Sequence, residues 1–269
     1  MIDILRARFH QGYRTIRFPK GADPERPERF VGRPEIAQEG CTGCGSCVQV
    51  CPTDALHLRE KAPSIDMGLC TFCTVCAEAC PQGVIRFGRE FRLAAQGRQA
   101  LLVPSQGEDA DPLREESIHS LFGRSLKLRQ VSAGGCGSCE ADTNVLNTVG
   151  WDLGRLGIQF VASPRHADGL LVTGPVTKNM ESALRKTYDA TPSPKIVIAV
   201  GTCAVSGGLF RTHTETVMGV DTVLPVDLYI PGCPPRPEAL LKGIIELQKK
   251  IQKESIKDRP LISLPGKSA

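Results

Sequence analysis

Long hydrophobic runs are missing from this sequence. No apolar stretch approaches the ~18 residues that a membrane-spanning helix requires, and no signal-peptide pattern follows Met1. The expectation is a cytoplasmic chain, peripheral on the inner face of the cell membrane through partner subunits. A strong charge imbalance is also missing: the formal net charge is +4 over 269 residues, too small to argue for nucleic acid. Phosphate loops are absent as well. Gly150, Gly154 and Gly157 do not follow a strand-like run, and Gly266-Lys267-Ser268 lacks the upstream glycine. No motif for a nucleophile–base pair stands out.

What the sequence does have is cysteine: twelve, of which eight fall in two runs and four in a separate constellation, with none left over. A disulfide scaffold would be small, secreted and short of core. This chain has the length for two domains and at least one ordinary core. The cysteines are therefore read as metal ligands.

The first run is Cys41-x2-Cys44-x2-Cys47-x3-Cys51-Pro52, and the second is Cys70-x2-Cys73-x2-Cys76-x3-Cys80-Pro81, each member 29 residues after its counterpart. This internal repeat has the spacing of a bacterial two-cluster ferredoxin, in which the fourth cysteine of each run ligates the other cluster. Cys41, Cys44, Cys47 and Cys80 are expected to hold one 4Fe–4S cluster, and Cys70, Cys73, Cys76 and Cys51 the second. Small residues such as Gly43, Gly45 and Ser46 let backbone N–H groups approach the sulfurs, and the prolines turn the chain away after the last ligand. Zinc sites pair widely separated knuckles and do not run four cysteines together twice. The repeat resembles the ferredoxin-type subunit of respiratory complex I and of related membrane-bound hydrogenases, which implies an α+β ferredoxin-like fold.

Ahead of the repeat, residues 1–20 set Ile2, Ile4, Leu5, Phe9, Tyr13, Ile16 and Phe18 among Arg6, Arg8, Arg14, Arg17 and Lys20. This is a basic amphipathic arm, suited either to a membrane surface or subunit or to local packing. Residues 21–39 read as an extended lead-in. The first domain is assigned to residues 1–103 and a polar, acidic linker to 104–116. The second domain covers 117–269.

In that second domain, strand-like runs at 126–131, 158–162, 170–173, 195–200 and 226–230 alternate with helical patterns at 140–149, at 179–189 and from Pro237 onward. Alternation of this kind predicts a doubly wound, flavodoxin-like α/β domain with a parallel sheet. Met180, Ala183, Leu184, Thr187 and Tyr188 read as one buried helical stripe, and Leu240, Ile244, Leu247 and Ile251 as another. Three of the strands end shortly before Cys136 and Cys139, Cys203, and Cys233. Loops at the carboxyl ends of parallel strands meet along one edge, so four thiolates converge there. A thioredoxin-like dithiol at Cys136-x-x-Cys139 and a zinc site are the alternatives; the clusters encoded upstream favour a third 4Fe–4S cluster.

Several stretches then carry a second resemblance. They are Phe122-Gly123-Arg124-Ser125-Leu126, Gly135-Cys136-x-x-Cys139-Glu140, Ala162-Ser163-Pro164-Arg165-His166-Ala167-Asp168, Val172-Thr173-Gly174-Pro175-Val176-Thr177, Gly201-Thr202-Cys203 and Pro231-Gly232-Cys233-Pro234-Pro235-Arg236-Pro237. Together they resemble the small subunit of group 4 nickel–iron hydrogenases, the formate hydrogenlyase and energy-converting types, and are similar to the cluster-bearing small subunit of complex I. The two resemblances span residues 29–251. They imply an oxidoreductase subunit with no catalysis of its own, in which Cys136, Cys139, Cys203 and Cys233 hold the proximal cluster. That cluster faces a hydrogenase large subunit, nickel–iron or a nickel-less homologue. Membrane ion-translocating subunits and further electron-transfer subunits complete the implied complex. Complex I small subunits have their first two cysteines adjacent, whereas Gly137 and Ser138 separate them here, which favours the hydrogenase side. Uptake hydrogenases add a C-terminal cluster domain, whose place the N-terminal clusters would take. A complex I-like module that reduces quinone or another acceptor without nickel, and a stand-alone soluble ferredoxin-type carrier, are the rival readings. Glu140, Arg165 and His166 are candidates for a redox or proton-coupled role, against the plainer readings of a helix cap and a loop salt bridge.

Overall fold

The computed structural model describes residues 2–37, 39–59, 62–103 and 125–253, with side chains for all of these except 59, 62 and 249–253. The expected linker at 104–116, the domain start at 117, Phe122, Gly123, Arg124 and the side chain of Ile251 lie outside the described residues.

Helix α1 (Ile2–Gln11) opens the chain. Strands β1 (Pro34–Ile36) and β4 (Ile85–Phe87) pair antiparallel. Strands β2 (Leu56–Arg59), β3 (Ala62–Asp66) and β5 (Leu102–Val103) form a second antiparallel sheet. Between them stand two single-turn helices, α2 (Ser46–Gln49) and α3 (Val75–Glu78). The sequence repeat is also a conformational repeat. Left-handed φ values recur at Gly43 and Phe72 (74° and 58°), at Gly45 and Thr74 (77° and 65°), and at Asp54 and Gly83 (53° and 61°). Each pair is one repeat length apart, so the second copy holds Phe72 and Thr74 where the first has glycines, in a region that L side chains enter at some cost.

The second half is a five-stranded sheet, all parallel. Its strands are β6 (Leu126–Ser132), β7 (Ile158–Phe160), β8 (Gly169–Thr173), β9 (Ile196–Val200) and β10 (Leu228–Ile230). Their spatial order is β10-β9-β8-β6-β7. Numbered within the sheet and read from the β7 edge this is 2-1-3-4-5, the order of flavodoxin-type sheets. Helices α4 (Ser138–Val145), α5 (Lys178–Ala190), α6 (Thr202–Ser206) and α7 (Pro237–Lys253) follow β6, β8, β9 and β10.

Alternation along the strands divides the core into two layers. Leu128, Leu171, Ile198 and Ile230 face Leu146 beyond α4 and Leu240, Leu241 and Ile244 of α7. Leu170, Val172, Val197 and Ala199 face Leu184 of α5, and this second layer runs without a break through Val205, Tyr229, Leu101 and Met67 into Ile65 and Leu56. The two halves thus share one hydrophobic layer. They also share backbone bonds. Ala95 and Tyr229 exchange both N–H···O bonds, at 2.9 and 2.8 Å, which lays the segment after β4 along the outer edge of β10. A sheet edge needs such a cover.

Three local expectations differ. The stripe on α5 narrows to Leu184, because Ala183 is exposed and Met180, Thr187 and Tyr188 are half-buried. Residues 21–39 are more than a lead-in: they contain β1, and Phe30 is buried against α7 and Phe91. Phe18, at the end of the N-terminal arm, is buried with Phe91 and Trp151 around it. Arg155 donates to the carbonyl oxygens of Ile16 and Phe18, so this part of the arm packs on the α/β half. Helix α1 itself has no buried residue. No helix among the described residues is long and apolar enough to cross a membrane.

Candidate metal centres

In the N-terminal half, Cys41, Cys44, Cys47 and Cys80 line one small cleft. Cys51, Cys70, Cys73 and Cys76 line another. Each cleft takes three thiols from one run and the fourth from the other, because α2 and α3 carry the ends of the two runs past each other. Burial, with the neighbouring thiolates Cys51 and Cys73, pushes the Cys70 thiol up to about 12 and that of Cys76 to about 11. Burial also raises Cys47, with Cys80 and Cys41 adding to it. Exposed Cys44 goes the other way, lowered by hydrogen bonds from the Ser46 hydroxyl and backbone N–H. Backbone N–H groups donate to sulfur elsewhere too, Ala55 to Cys51 and Phe72 to Cys70, both at 3.3 Å.

In the α/β half, Cys136 and Cys139 flank the start of α4, Cys203 sits in α6, and Cys233 lies in the loop before α7. Burial pushes the Cys139 thiol up to about 12, with Cys203, Glu140, Cys233 and Cys136 adding to it. Burial and then Cys233 and Cys136 push Cys203 to about 11. The loops after β6, β9 and β10 therefore bring all four thiols within reach of one another's charge. Gly201 makes the approach possible: its φ is 88°, and a Cβ there would stand 2.5 Å from Cys139 Sγ.

Glu140 stands beside this set. Its Oε1 accepts hydrogen bonds from the Ser132 and Thr173 hydroxyls, both at 2.6 Å. Burial raises its carboxyl, but those two bonds outweigh it and leave it below the ordinary range. It is thus a fixed negative charge. Arg165 and His166 lie in the turn after β7; both are exposed, and neither side chain makes a hydrogen bond or ion pair among the described residues.

Sequence reasoning missed α6. Its five residues are too short for a periodic signal, yet Thr202 and Ser206, one turn apart, reach into the N-terminal half. Thr202 Oγ1 donates to the Cys70 carbonyl at 2.8 Å, and Ser206 Oγ donates to the Gly68 carbonyl at 2.7 Å. The ion pair of Arg98 with Asp66 on the same seam left no signal either.

Among the described residues no three His, Cys, Asp or Glu side chains converge closely enough to hold a single metal ion. The N-terminal thiols instead line two common sites in fours, three from one run and one from the other. Thiols that raise one another's pKa need a cationic group before all four can ionise, and ligation supplies it. The residues therefore fit 4Fe–4S clusters.

Comparison with known proteins agrees with this chemistry. Residues 40–84 match the 4Fe-4S dicluster domain, and residues 136–247 match the model described as NADH ubiquinone oxidoreductase, 20 Kd subunit. The chain is 48% identical over 139 residues to a subunit of the NADH-quinone oxidoreductase of Desulfovibrio desulfuricans, covering 52% of this chain and 75% of that one. It is 44% identical over 140 residues to a probable membrane-bound hydrogenase subunit of Pyrococcus furiosus, covering 52% and 84%. A subunit of the F(420)H(2) dehydrogenase of Methanosarcina mazei is 47% identical over 116 residues, covering 43% and 63%. A chain in the structure of the membrane-bound sulfane sulfur reductase, an archaeal respiratory membrane complex, is 36% identical with a TM-score of 0.44, covering 49% of this chain and 73% of that one.

Fold and thiols together define an iron–sulfur, electron-transfer subunit of an oxidoreductase. The chain belongs to the family of the 20 kDa subunit of NADH ubiquinone oxidoreductase, with a 4Fe–4S dicluster domain ahead of the family core.

Proposed function

We propose that this chain carries three 4Fe–4S clusters and works as the electron-transfer subunit of a membrane-associated hydrogenase complex. Electrons pass between the dicluster half and the proximal thiol set, and from there to or from a nickel–iron site in a partner large subunit. The clusters, when bound, supply one-electron storage, and the residues of the chain hold them in line. The N-terminal half is read as a ferredoxin-like domain and the α/β half as the hydrogenase-type small subunit. The assembly is peripheral on the cytoplasmic side of the membrane, through ion-translocating partners.

The observation that carries the reading is the serial placement of the three thiol sets. Cys73 contributes to the raised pKa of Cys233, after burial and Cys136, and Thr202, beside Cys203, donates to the Cys70 carbonyl, which supports a series with the set of Cys51, Cys70, Cys73 and Cys76 in the middle. Beyond that, Cys136 and Cys233 are exposed, at an edge that a large partner would cover. Gly137 and Ser138 between the first two cysteines favour the nickel–iron partner. The relatives named as NADH-quinone and F(420)H(2) enzymes favour the second reading, a complex I-like module that hands electrons to a quinone or other acceptor without nickel.

Nickel analysis of the native complex separates the two. Stoichiometric nickel with the large partner, and H2 evolution from reduced viologen only when that partner is present, are the expected results. A complex free of nickel would overturn the hydrogenase reading, and H2 evolution by the isolated chain would overturn the division of labour.

A further inference from the structure

Among the described residues, a hydrogen bond crosses the seam between the two halves from Thr202, the neighbour of Cys203, to Cys70 of another thiol set. Thr202 is 1% exposed. Its backbone N–H donates to the Gly232 carbonyl at 2.8 Å, and its Oγ1 stands 2.8 Å from the Cys70 carbonyl and 3.2 Å from Gly232 O. With Gly232 O already served by the backbone, the hydroxyl proton belongs to Cys70 O. Thr202 is also the residue bonded to Cys203. A continuous route therefore runs from Cys70 Sγ through its own carbonyl, across one hydrogen bond to Thr202 Oγ1, and along the backbone to Cys203 Sγ. Cys73 and Cys233 feel each other's charge, but no hydrogen bond between them occurs among the described residues.

Ser206 supplies the contrast. It is also buried, and its hydroxyl reaches Gly68 O at 2.7 Å and Thr202 O at 3.0 Å. It binds α6 to the same strip of the N-terminal half with a bond of the same kind, yet its own side chain adjoins no thiol ligand. One hydroxyl of the pair lies on the route and the other beside it.

We propose that the Thr202 hydroxyl is the electronic bridge between the thiol set of Cys70 and the thiol set of Cys203. The proposal rests on the reading that both sets hold 4Fe–4S clusters. One electron leaves the centre bound by Cys70, oxidising it by one unit, and reduces the centre bound by Cys203 by one unit. No covalent bond forms or breaks, and the proton stays on Thr202 Oγ1. The β-branched side chain restricts χ1, and the buried bond to Cys70 O holds Oγ1 in the bridging position.

The test uses the full chain with its clusters loaded. Sub-stoichiometric photoreduction is followed by freeze-quench EPR, and electron redistribution between the dicluster signals and the α/β signal is timed. Midpoint potentials and iron content are measured on each protein. Thr202→Val keeps the shape but removes the bridge, and redistribution should slow several-fold with potentials and iron unchanged. Thr202→Ser should restore the wild-type rate, and Ser206→Ala should leave it unaltered. Thr202→Ala, which adds no bulk, carries the same expectation as the valine variant. Equal slowing by Thr202→Val and Ser206→Ala would reduce Thr202 to a structural clamp, and an unchanged rate in fully loaded Thr202→Val would remove the bridge alone. Wild-type protein that cannot be loaded with the α/β cluster would overturn the functional reading and the bridge with it.

Discussion

Arg98 grips Asp66 with both terminal guanidinium nitrogens, Nη1 to Oδ1 at 2.7 Å and Nη2 to Oδ2 at 2.6 Å. The pair lies within the dicluster half, on the face that meets the α/β half. Asp66 Oδ1 also accepts the Gly68 N–H at 2.8 Å, while Arg98 lowers the carboxyl of Asp221 in the α/β half, where burial is the larger influence and raises it. Fork-to-fork geometry of this kind fixes orientation as well as charge.

Removing one partner of a largely buried pair leaves the other uncompensated. Arg98→Ala should therefore cost about 3 kcal/mol of stability, read as a lower urea midpoint. A loss no larger than that of an exposed pair such as Arg185 with Glu181, about 0.5 kcal/mol, would show that the seam does not depend on it.

Tyr229 lies on the same seam. Burial, followed by the negative charge of Asp221, pushes its phenol up from 10.0 to about 12. A phenol whose pKa is raised in the folded state stabilises the fold fully below its unfolded value, and that contribution is lost as pH climbs through the folded one. Loaded protein should accordingly lose stability between about pH 10 and about pH 12, with a smaller loss in Tyr229→Phe. Parallel pH profiles for the two proteins would contradict this.

Glu140 bears on potential rather than stability. Its carboxylate is held charged and adds to the raised pKa of Cys139, behind burial and Cys203, and to that of Cys203, behind burial, Cys233 and Cys136. Removing a negative charge beside a centre that gains an electron favours the reduced form. Glu140→Gln should shift the α/β midpoint potential upward and leave the dicluster potentials in place. A downward shift in an EPR-monitored redox titration would contradict the placement.

Ligand count gives a stoichiometry. Four thiolates to each cubane predict about twelve irons in wild type and about eight in Cys233→Ser, measured against protein by amino-acid analysis. Wild type with eight irons and one zinc would sink the third cluster.

Gly201→Ala should behave much like loss of a ligand. A positive φ alone makes alanine costly by more than about 1 kcal/mol, and here the added carbon would also stand 2.5 Å from Cys139 Sγ. Selective loss of the α/β EPR signal is expected; full retention would show that α4 can retreat.

Strand β9 was readable in the sequence because it is buried on both faces and carries no polar residue, the expected 195–200 becoming Ile196–Val200; the expected 126–131 became β6 with one residue more, its buried Leu126, Leu128 and Val131 set among Lys127, Arg129 and Gln130. The repeat was readable because ligand spacing is a covalent property of the chain. Helix ends were less so. The helix expected at 140–149 runs from Ser138 to Val145, since Gly137 in the left-handed region starts it early. Contacts across the seam left no local trace. A hydroxyl on Thr202 gives no sign in sequence of a carbonyl at Cys70, and Ala95 carries no mark of its pairing with Tyr229. Arg165 and His166, conspicuous in the sequence, are exposed in the turn after β7.

The pairing of Ala95 with Tyr229 sets an order of events during synthesis. The dicluster half leaves the ribosome first, with Leu101 and Met67 still bare, and the strand that will cover Ala95 is made long afterwards, the last of the sheet. Until β10 emerges, an unpaired edge and an apolar layer stand open together, the combination most prone to pairing with a neighbouring chain. Nascent chains truncated before β10 are thus the form that a holding chaperone must shield, and iron delivered to the first eight cysteines would reach a domain not yet seated on its other half.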